Sequence, residues 1–358
     1  MNIKSKADLL LSEALHDYAT DIHITPNSEK YLVQFRIYGK LSPIKHFSLD
    51  VGERLISHFK FMASMDIGET RKPQSGSLQT LITGLETSLR ISTLPSAHSK
   101  ESMAIRILPQ QILSLKNLSL FPYSIDLLTS LMVQAFGMII FTGPTGGGKS
   151  TSMYALAQYC TEYLDRHVIS LEDPVEKLHD QLLQVQVNEK AGISFSTGLK
   201  AILRHDPDVI LVGEIRDAET AMIAARAAMT GHLVLTSLHS RDAKGAIYRL
   251  LEFGIGRQVL EQILLAITAQ RLVTINCPFC GMNCSKYCKS QYRPKRTGVY
   301  EILHGKTLLH SLKETREEED EYHYETLQKL IRKGIALGYL PQEEYDRWIF
   351  EENKKVNI

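Results

Sequence analysis

Gly143-Pro144-Thr145-Gly146-Gly147-Gly148-Lys149-Ser150 has the residue spacing of a phosphate-cradling loop. It follows the apolar run Met138-Ile-Ile-Phe141 and opens a helix-compatible stretch from Thr151 to Tyr159, so a strand before and a helix after are both in place. Glycines let backbone N–H groups turn inward around a β-phosphate. Lys149 supplies a point charge to the β and γ oxygens, and the Ser150 hydroxyl can hold Mg²⁺. A bare glycine-rich loop would be only a linker, and the flanking elements argue against that. The loop, with Thr151 after it, therefore predicts a nucleoside triphosphate site.

Outward from this loop, residues from about 124 alternate helix with buried strand, the pattern of a parallel sheet covered on both faces. Candidate strands are 137–142, 167–171, 209–212 and 233–236. The alanine-rich stretch 218–230 reads as a helix packed closely on that sheet, ending at Gly231. Residues 1–118 read instead as a small α+β domain. It has a helix bearing Leu9, Leu10, Leu11, Ala14 and Leu15, an alternating strand over 31–38 that ends at Gly39, and further strands at 87–94 and 103–108. The expected division is thus 1–118 and 119–358, with 109–123 as the connection.

At 358 residues with 44% hydrophobic side chains, two packed domains are the default. Lys plus Arg number 41 against 40 for Asp plus Glu, so no global positive field draws the chain to nucleic acid or anionic lipid. No apolar run approaches the roughly 18 residues of a spanning helix, and the start Met1-Asn-Ile-Lys-Ser-Lys-Ala-Asp lacks a signal-peptide core, which predicts a cytosolic protein. The acidic run Glu317–Glu321 and the basic cluster Lys286, Lys289, Arg293, Lys295 and Arg296 both read as solvated surface.

Strand ends carry the remaining chemistry. Asp208-Val-Ile-Leu-Val-Gly-Glu214 is an apolar strand delivering an acid at its carboxyl end, where ligands sit in an open parallel sheet. Glu214 is placed to bind the magnesium shell or its water. Glu172-Asp173-Pro174-Val175-Glu176 follows another strand and can orient a water in line with a γ-phosphate; taken alone, it reads more readily as a helix N-cap. His232 and His239 flank the strand 233–236, and the position of His239 suits a γ-phosphate sensor. Cys277, Cys280, Cys284 and Cys288 fall in one short loop and make up a tetrahedral zinc shell, with free thiols as the alternative. Cys160 reads as a small core residue.

In order along the chain, Thr20-Asp-Ile-His-Ile24, Phe35-Arg-Ile-Tyr-Gly39, Arg71-Lys-Pro-Gln-Ser-Gly76, Arg90-Ile-Ser-Thr-Leu-Pro95, Ala104-Ile-Arg106, the phosphate loop, Leu171-Glu-Asp-Pro-Val-Glu176 and Val212-Gly-Glu-Ile-Arg-Asp217 resemble the traffic ATPases of type II secretion, type IV pili and competence pseudopili. So do Leu203-Arg-His-Asp-Pro-Asp208, Thr230-Gly-His-Leu-Val234, Leu238-His-Ser240, Ala269-Gln-Arg-Leu272 and Arg296-Thr-Gly-Val-Tyr-Glu301. The resemblance covers nearly the whole chain. It implies a PAS-like α+β domain joined to a RecA-like α/β ATPase domain, ATP with Mg²⁺, and a hexameric ring. By the same resemblance Glu176 is the catalytic base, Glu214 the acid of the Walker B strand, His232 and His239 the histidine box, and Arg90 and Arg106 the arginines that neutralise the departing phosphate. Without the family, both arginines would read as exposed charges on an antiparallel strand.

The cysteine loop points to the assembly branch, which the retraction ATPases do not share. The early position of the first-domain motif points to the competence-pseudopilus motors of Gram-positive bacteria. The expected partner is a polytopic membrane platform protein, giving indirect attachment at the inner face of the membrane without direct nucleic-acid binding. Two competing readings remain: a nucleic-acid-translocating motor of the RecA or helicase class, and a nonhydrolysing switch. No Asn-Lys-x-Asp segment for guanine occurs.

Overall fold

The computed structural model describes residues 2–37, 39–97, 100–109, 113–281, 288, 295–313 and 324–349. Two compact units result, one made of Met1–Gln111 with Glu176–Leu178 and the other of Ile112–Val175 with His179–Ile358.

In the first unit, helix α1 (Ile3–His16) precedes strands β1 (Ala19–Pro26), β2 (Lys30–Ile37) and β3 (Lys40–Ser48). Helix α2 (Leu49–Met62) then leads to β4 (Gln74–Ile82), β5 (Leu85–Pro95) and β6 (Glu101–Pro109). The strands form one antiparallel sheet in the order β3-β2-β1-β6-β5-β4. Strict alternation explains its core: Tyr31, Val33 and Phe35 of β2 and Ile22 and Ile24 of β1 are buried. They pack with Leu10, Leu11 and Ala14 of α1 and Leu55, Ile56 and Phe59 of α2. Each fully buried large apolar side chain contributes about 1.5–3 kcal/mol relative to exposure.

The second unit begins with α3 (Pro122–Leu131), then β7 (Gly137–Thr142), α4 (Lys149–Tyr163), β8 (Val168–Glu172), β9 (Leu183–Gln186), α5 (Phe195–Ile202), β10 (Val209–Val212), α6 (Ala218–Met229) and β11 (Leu233–Leu238). It continues with α7 (Ala243–Glu252), α8 (Arg257–Ile263), the long hairpin β12 (Leu264–Thr274) and β13 (Arg296–His304), and α9 (Gly305–Lys313), α10 (Leu327–Ala336) and α11 (Gln342–Trp348). The sheet order is β13-β12-β7-β11-β10-β8-β9, parallel except for β13.

Strand β7 is buried along its whole length. Its residues divide between the two faces: Met138 and Ile140 join one core, Ile139 and Phe141 the other. A continuous apolar run is what a strand covered on both faces requires. Helix α6 reaches its sheet closely because Ala221, Ala224, Ala225, Ala227 and Ala228 are small and buried, and Asp217 caps its start by accepting from the Thr220 amide at 2.8 Å. Cys160 lies in the core of α4, where burial pushes its thiol up to about 11. No helix among the described residues is long and apolar enough to cross a membrane.

Candidate nucleotide site

Parallel pairing brings the strand ends to one edge. Thr142 stands beside Leu238, Val212 beside Thr236 and Leu171 beside Val212. The residues that follow them, Gly143, His239, Gly213 with Glu214, and Glu172, therefore share the carboxyl edge of the sheet.

The phosphate loop lies directly on β12. A Cβ at Gly143, where φ is 142°, would meet the Gln270 carbonyl oxygen at 2.5 Å; one at Gly148, where φ is 87°, would meet Gln270 Nε2 at 2.7 Å. These positions need both left-handed backbone and the absence of a side chain. Beneath the loop, Ser152 Oγ donates to Gln270 Oε1 at 3.0 Å and lies 2.8 Å from the Tyr300 hydroxyl. Lys149 Nζ, buried, donates to the carbonyls of Gly143 (2.9 Å) and Pro144 (3.0 Å) at the start of α4. We expect Gly143→Ala to destabilise the chain by about 1–3 kcal/mol through strain and contact. An unchanged thermal midpoint would show that the loop can lift off Gln270 freely.

A carboxylate network lies on the same edge of the sheet, two strands along from the loop. Glu214 accepts from Arg216 Nε at 2.8 Å, again from the terminal nitrogen of the same guanidinium, and from His239 Nε2 at 3.2 Å. Arg216 also reaches Asp173, at 3.5 Å. Burial alone would push the Glu214 carboxyl up, yet the Arg216 guanidinium and His239 hold it below the usual carboxylate range. A lowered folded-state value means that this pairing stabilises fully above the ordinary carboxylate pKa and is lost as pH falls through the lowered one. Arg216→Ala should therefore move the acid limb of the activity profile to higher pH; a limb that stays in place would dissociate Arg216 from Glu214 function. A cavity of about 330 Å³ lies against this cluster, lined by Ile215, Arg216, Leu238, His239 and Arg249.

Glu172 is 5% exposed and accepts from the Tyr154 hydroxyl, from Ser170 Oγ at 2.6 Å and from Gln184 Nε2 at 3.3 Å. No helix follows it, so the N-cap reading of the acidic segment fails: the chain continues instead to β9, whose short length and half-exposed sequence gave no strand signal. Glu176 lies in the exposed stretch between β8 and β9.

His232 stands apart from the other predicted site residues of this unit. It precedes β11 at the amino end, roughly 20 Å of strand away from His239, and its Nδ1 lies 3.0 Å from the Ala227 carbonyl at the end of α6. In the first unit, Arg90 and Arg106 are direct cross-strand partners on β5 and β6, both exposed. Arg106 Nε donates to Asp21 Oδ1 at 2.9 Å, and Arg36 lies 3.8 Å from the other oxygen of that carboxylate. The thiols of Cys277, Cys280 and Cys288 converge within 4.8 Å of one another; Cys284 lies outside the described residues.

Gln270, Ser152, Tyr300 and Arg216 are the participants that sequence reasoning left without a role. For Gln270, Tyr300 and Arg216 the signal was present as matched segments, Ala269-Gln-Arg-Leu272, Arg296 to Glu301 and Val212 to Asp217, whereas Ser152 lies in none of them, and pairing partners far along the chain do not show in a local pattern.

A parallel sheet with a lysine-bearing glycine loop at its carboxyl edge, an acid two strands along on the same edge and an antiparallel sheet domain before it defines a RecA-like P-loop ATPase with an N-terminal α+β domain. The family described as "Type II/IV secretion system protein" matches residues 2–347. The chain belongs to that family, and it is an ATP-hydrolysing enzyme. Competence protein ComGA of Bacillus subtilis (strain 168) is 52% identical over 353 residues, 98% of this chain and 99% of the relative. Type II secretion system protein E of Pseudomonas aeruginosa is 36% identical, covering 96% of this chain and 74% of its own. Among solved structures, the pilus retraction motor PilT with bound ADP superimposes with a TM-score of 0.72 at 26% identity, over 96% of this chain and 97% of that one.

The donor set fits a magnesium-bound triphosphate. An ammonium held among loop carbonyls, hydroxyls at Ser150 and Thr151 and the start of α4 all suit anionic oxygens, and the glycine contacts with Gln270 fix the curvature of the loop.

Proposed function

We propose that this chain is the ATP-driven motor that assembles a competence pseudopilus, working as a homo-hexameric ring on the cytoplasmic side of the membrane through a polytopic platform protein. The observation that carries the reading is end-to-end identity of 52% with a competence protein, over both units. The runner-up, a nucleic-acid-translocating motor, lacks support from a charge balance of +1.

The backbone amides of the loop glycines and the Lys149 ammonium would bind the β and γ phosphates, and the hydroxyl of Ser150, with Thr151 beside it, would hold the metal. Mg²⁺, when bound, neutralises charge on the phosphate oxygens. Glu214, kept ionised by Arg216 and His239, anchors the water shell. Glu176 orients the attacking water and takes its proton. Arg90 and Arg106 supply guanidinium charge to the departing phosphate, and His239 responds to the γ-phosphate position. The placement of His232 suits a helix-end brace better than a phosphate contact.

Pull-down from the native cell tests the assignment. Recovery of a membrane platform protein supports it; recovery of DNA-repair proteins, with turnover that rises on adding DNA, would favour the nucleic-acid motor.

Cys277, Cys280 and Cys288, with Cys284 as the fourth ligand, hold a structural Zn²⁺. Supporting this, Cys277 Sγ and Cys288 Sγ lie 3.5 Å apart, close to the roughly 3.8 Å that two sulfurs keep on a tetrahedral zinc with bonds of about 2.3 Å. Metal analysis should find one zinc per chain, released by a thiol reagent. Metal-free protein with four titratable loop thiols would end this reading.

A further inference from the structure

Glu301 is 2% exposed in the middle of β13, opposite Ala269, with each carboxylate oxygen committed to a different helix. Oε1 accepts from the Ala243 amide at 3.0 Å, the first residue of α7. Oε2 accepts from the Leu327 amide at 2.8 Å, the first residue of α10. The Tyr324 hydroxyl donates to Oε1 at 3.4 Å.

Both helices already have local caps, Asp242 accepting from Gly245 at 2.7 Å and Thr326 from Lys329 at 3.3 Å. Glu301 therefore adds an acceptor from outside each helix, placed at two positive dipole ends. Burial pushes its carboxyl up, while the two amides favour the ionised form. A carboxylate committed in this way costs desolvation that a plain apolar residue at the same place in the hairpin would not.

What it grips is the segment that begins at His239. Ser240 is fixed to the last residue of β7, its amide donating to Thr142 Oγ1 at 2.8 Å. The Arg241 carbonyl accepts from the Arg271 guanidinium, and Arg271 also donates to the Gln270 carbonyl, the atom beneath Gly143. The Ala243 amide goes to Glu301. Residues 240, 241 and 243 are thus held in turn by β7, β12 and β13, and His239 extends from that anchored segment to Glu214.

We infer that Glu301 is a positioning residue for ATP hydrolysis: it fixes the His239 segment against the phosphate loop and ties the start of α10 to the same segment. Displacement of the C-terminal helices would then reach His239 through one carboxylate. The inference rests on the reading of His239 and Glu214 as phosphate-side groups.

Glu301→Gln tests it, because an amide keeps the size and one acceptor but presents N–H₂ where the second helix needs an acceptor. Turnover should fall about ten- to hundredfold, as small misplacements near reacting groups do. KM and the affinity for a fluorescent ATP analogue should stay within about twofold, and amides 239–243 should exchange faster with solvent than in the unaltered protein. Leu327→Pro is the second variant: proline is tolerated at a first helical position and removes the donor on the α10 side, and because Leu327 is itself buried in the core, Leu327→Ala, which loses the side chain and keeps the amide, is its control; turnover should fall further in Leu327→Pro than in Leu327→Ala. Unchanged turnover and exchange in both variants would overturn the inference. So would parallel loss of affinity, thermal stability and turnover in both, which is what a purely structural brace gives. His239→Ala separates the two layers: if it leaves turnover intact, the histidine reading fails, whereas a slow His239→Ala beside a fully active Glu301→Gln removes Glu301 alone.

Discussion

Lys149→Ala is expected to lower ATP turnover by about a thousandfold and nucleotide affinity by about ten- to a hundredfold. The first figure follows from removing a charged donor aimed at oxygens where negative charge accumulates. The second follows from losing one charge-assisted hydrogen bond, about 1.5–3 kcal/mol. The fold should survive, because the ammonium is anchored on the carbonyls of Gly143 and Pro144 and spans no part of the apolar core. Steady-state ATPase assays with equilibrium binding of a fluorescent analogue read both quantities. Retention of both would remove the nucleotide-site assignment together with everything built on it.

Glu176→Gln carries the second largest effect. A general base contributes about 10²–10⁴ in rate, and an amide cannot accept the proton of the attacking water. Turnover should drop within that range while binding of ATP is retained, since Glu176 contributes nothing to the phosphate cradle. Glu172→Gln gives the contrast. That carboxylate is buried among Tyr154, Ser170 and Gln184, so the substitution should show first as lost stability. If Glu176→Gln turns over at the unaltered rate, a nonhydrolysing role for the acidic segment becomes the better reading of Glu172 to Glu176.

The phosphate loop was legible because its requirements are local. Glycines, lysine and serine at fixed spacing, a fully apolar strand before and a helix after are all contiguous in sequence, and the structure places them as β7, loop and α4. Helix α6 was legible for a similar reason: its buried alanines announce close packing on a sheet.

Long-range pairing was not legible. The hairpin of β12 and β13 joins residues on either side of a cysteine-rich, basic stretch that reads as loop, and nothing near Gln270 in sequence indicates that its amide supports Gly148. The two histidines show the limit of flank reading. Both adjoin β11, but strand direction alone decides that His239 meets Glu214 while His232 turns to the end of α6. Arg216 shows another limit, since its value to Glu214 depends on a side-chain fold-back over two residues that composition does not encode.

The β12 and β13 ladder runs in unbroken register from Ala266 paired with His304 to Thr274 paired with Arg296. Because that zipper is already closed, the entropy of tethering its tip grows only as the logarithm of tip length, about 0.6 kcal/mol for each doubling. Insertions between 289 and 294, past the last cysteine of the proposed zinc shell and clear of Asn276, whose amide donates to the Tyr339 carbonyl, are therefore cheap for the ATPase core, and they give a lineage a place to vary its outward attachments without retuning the engine beneath.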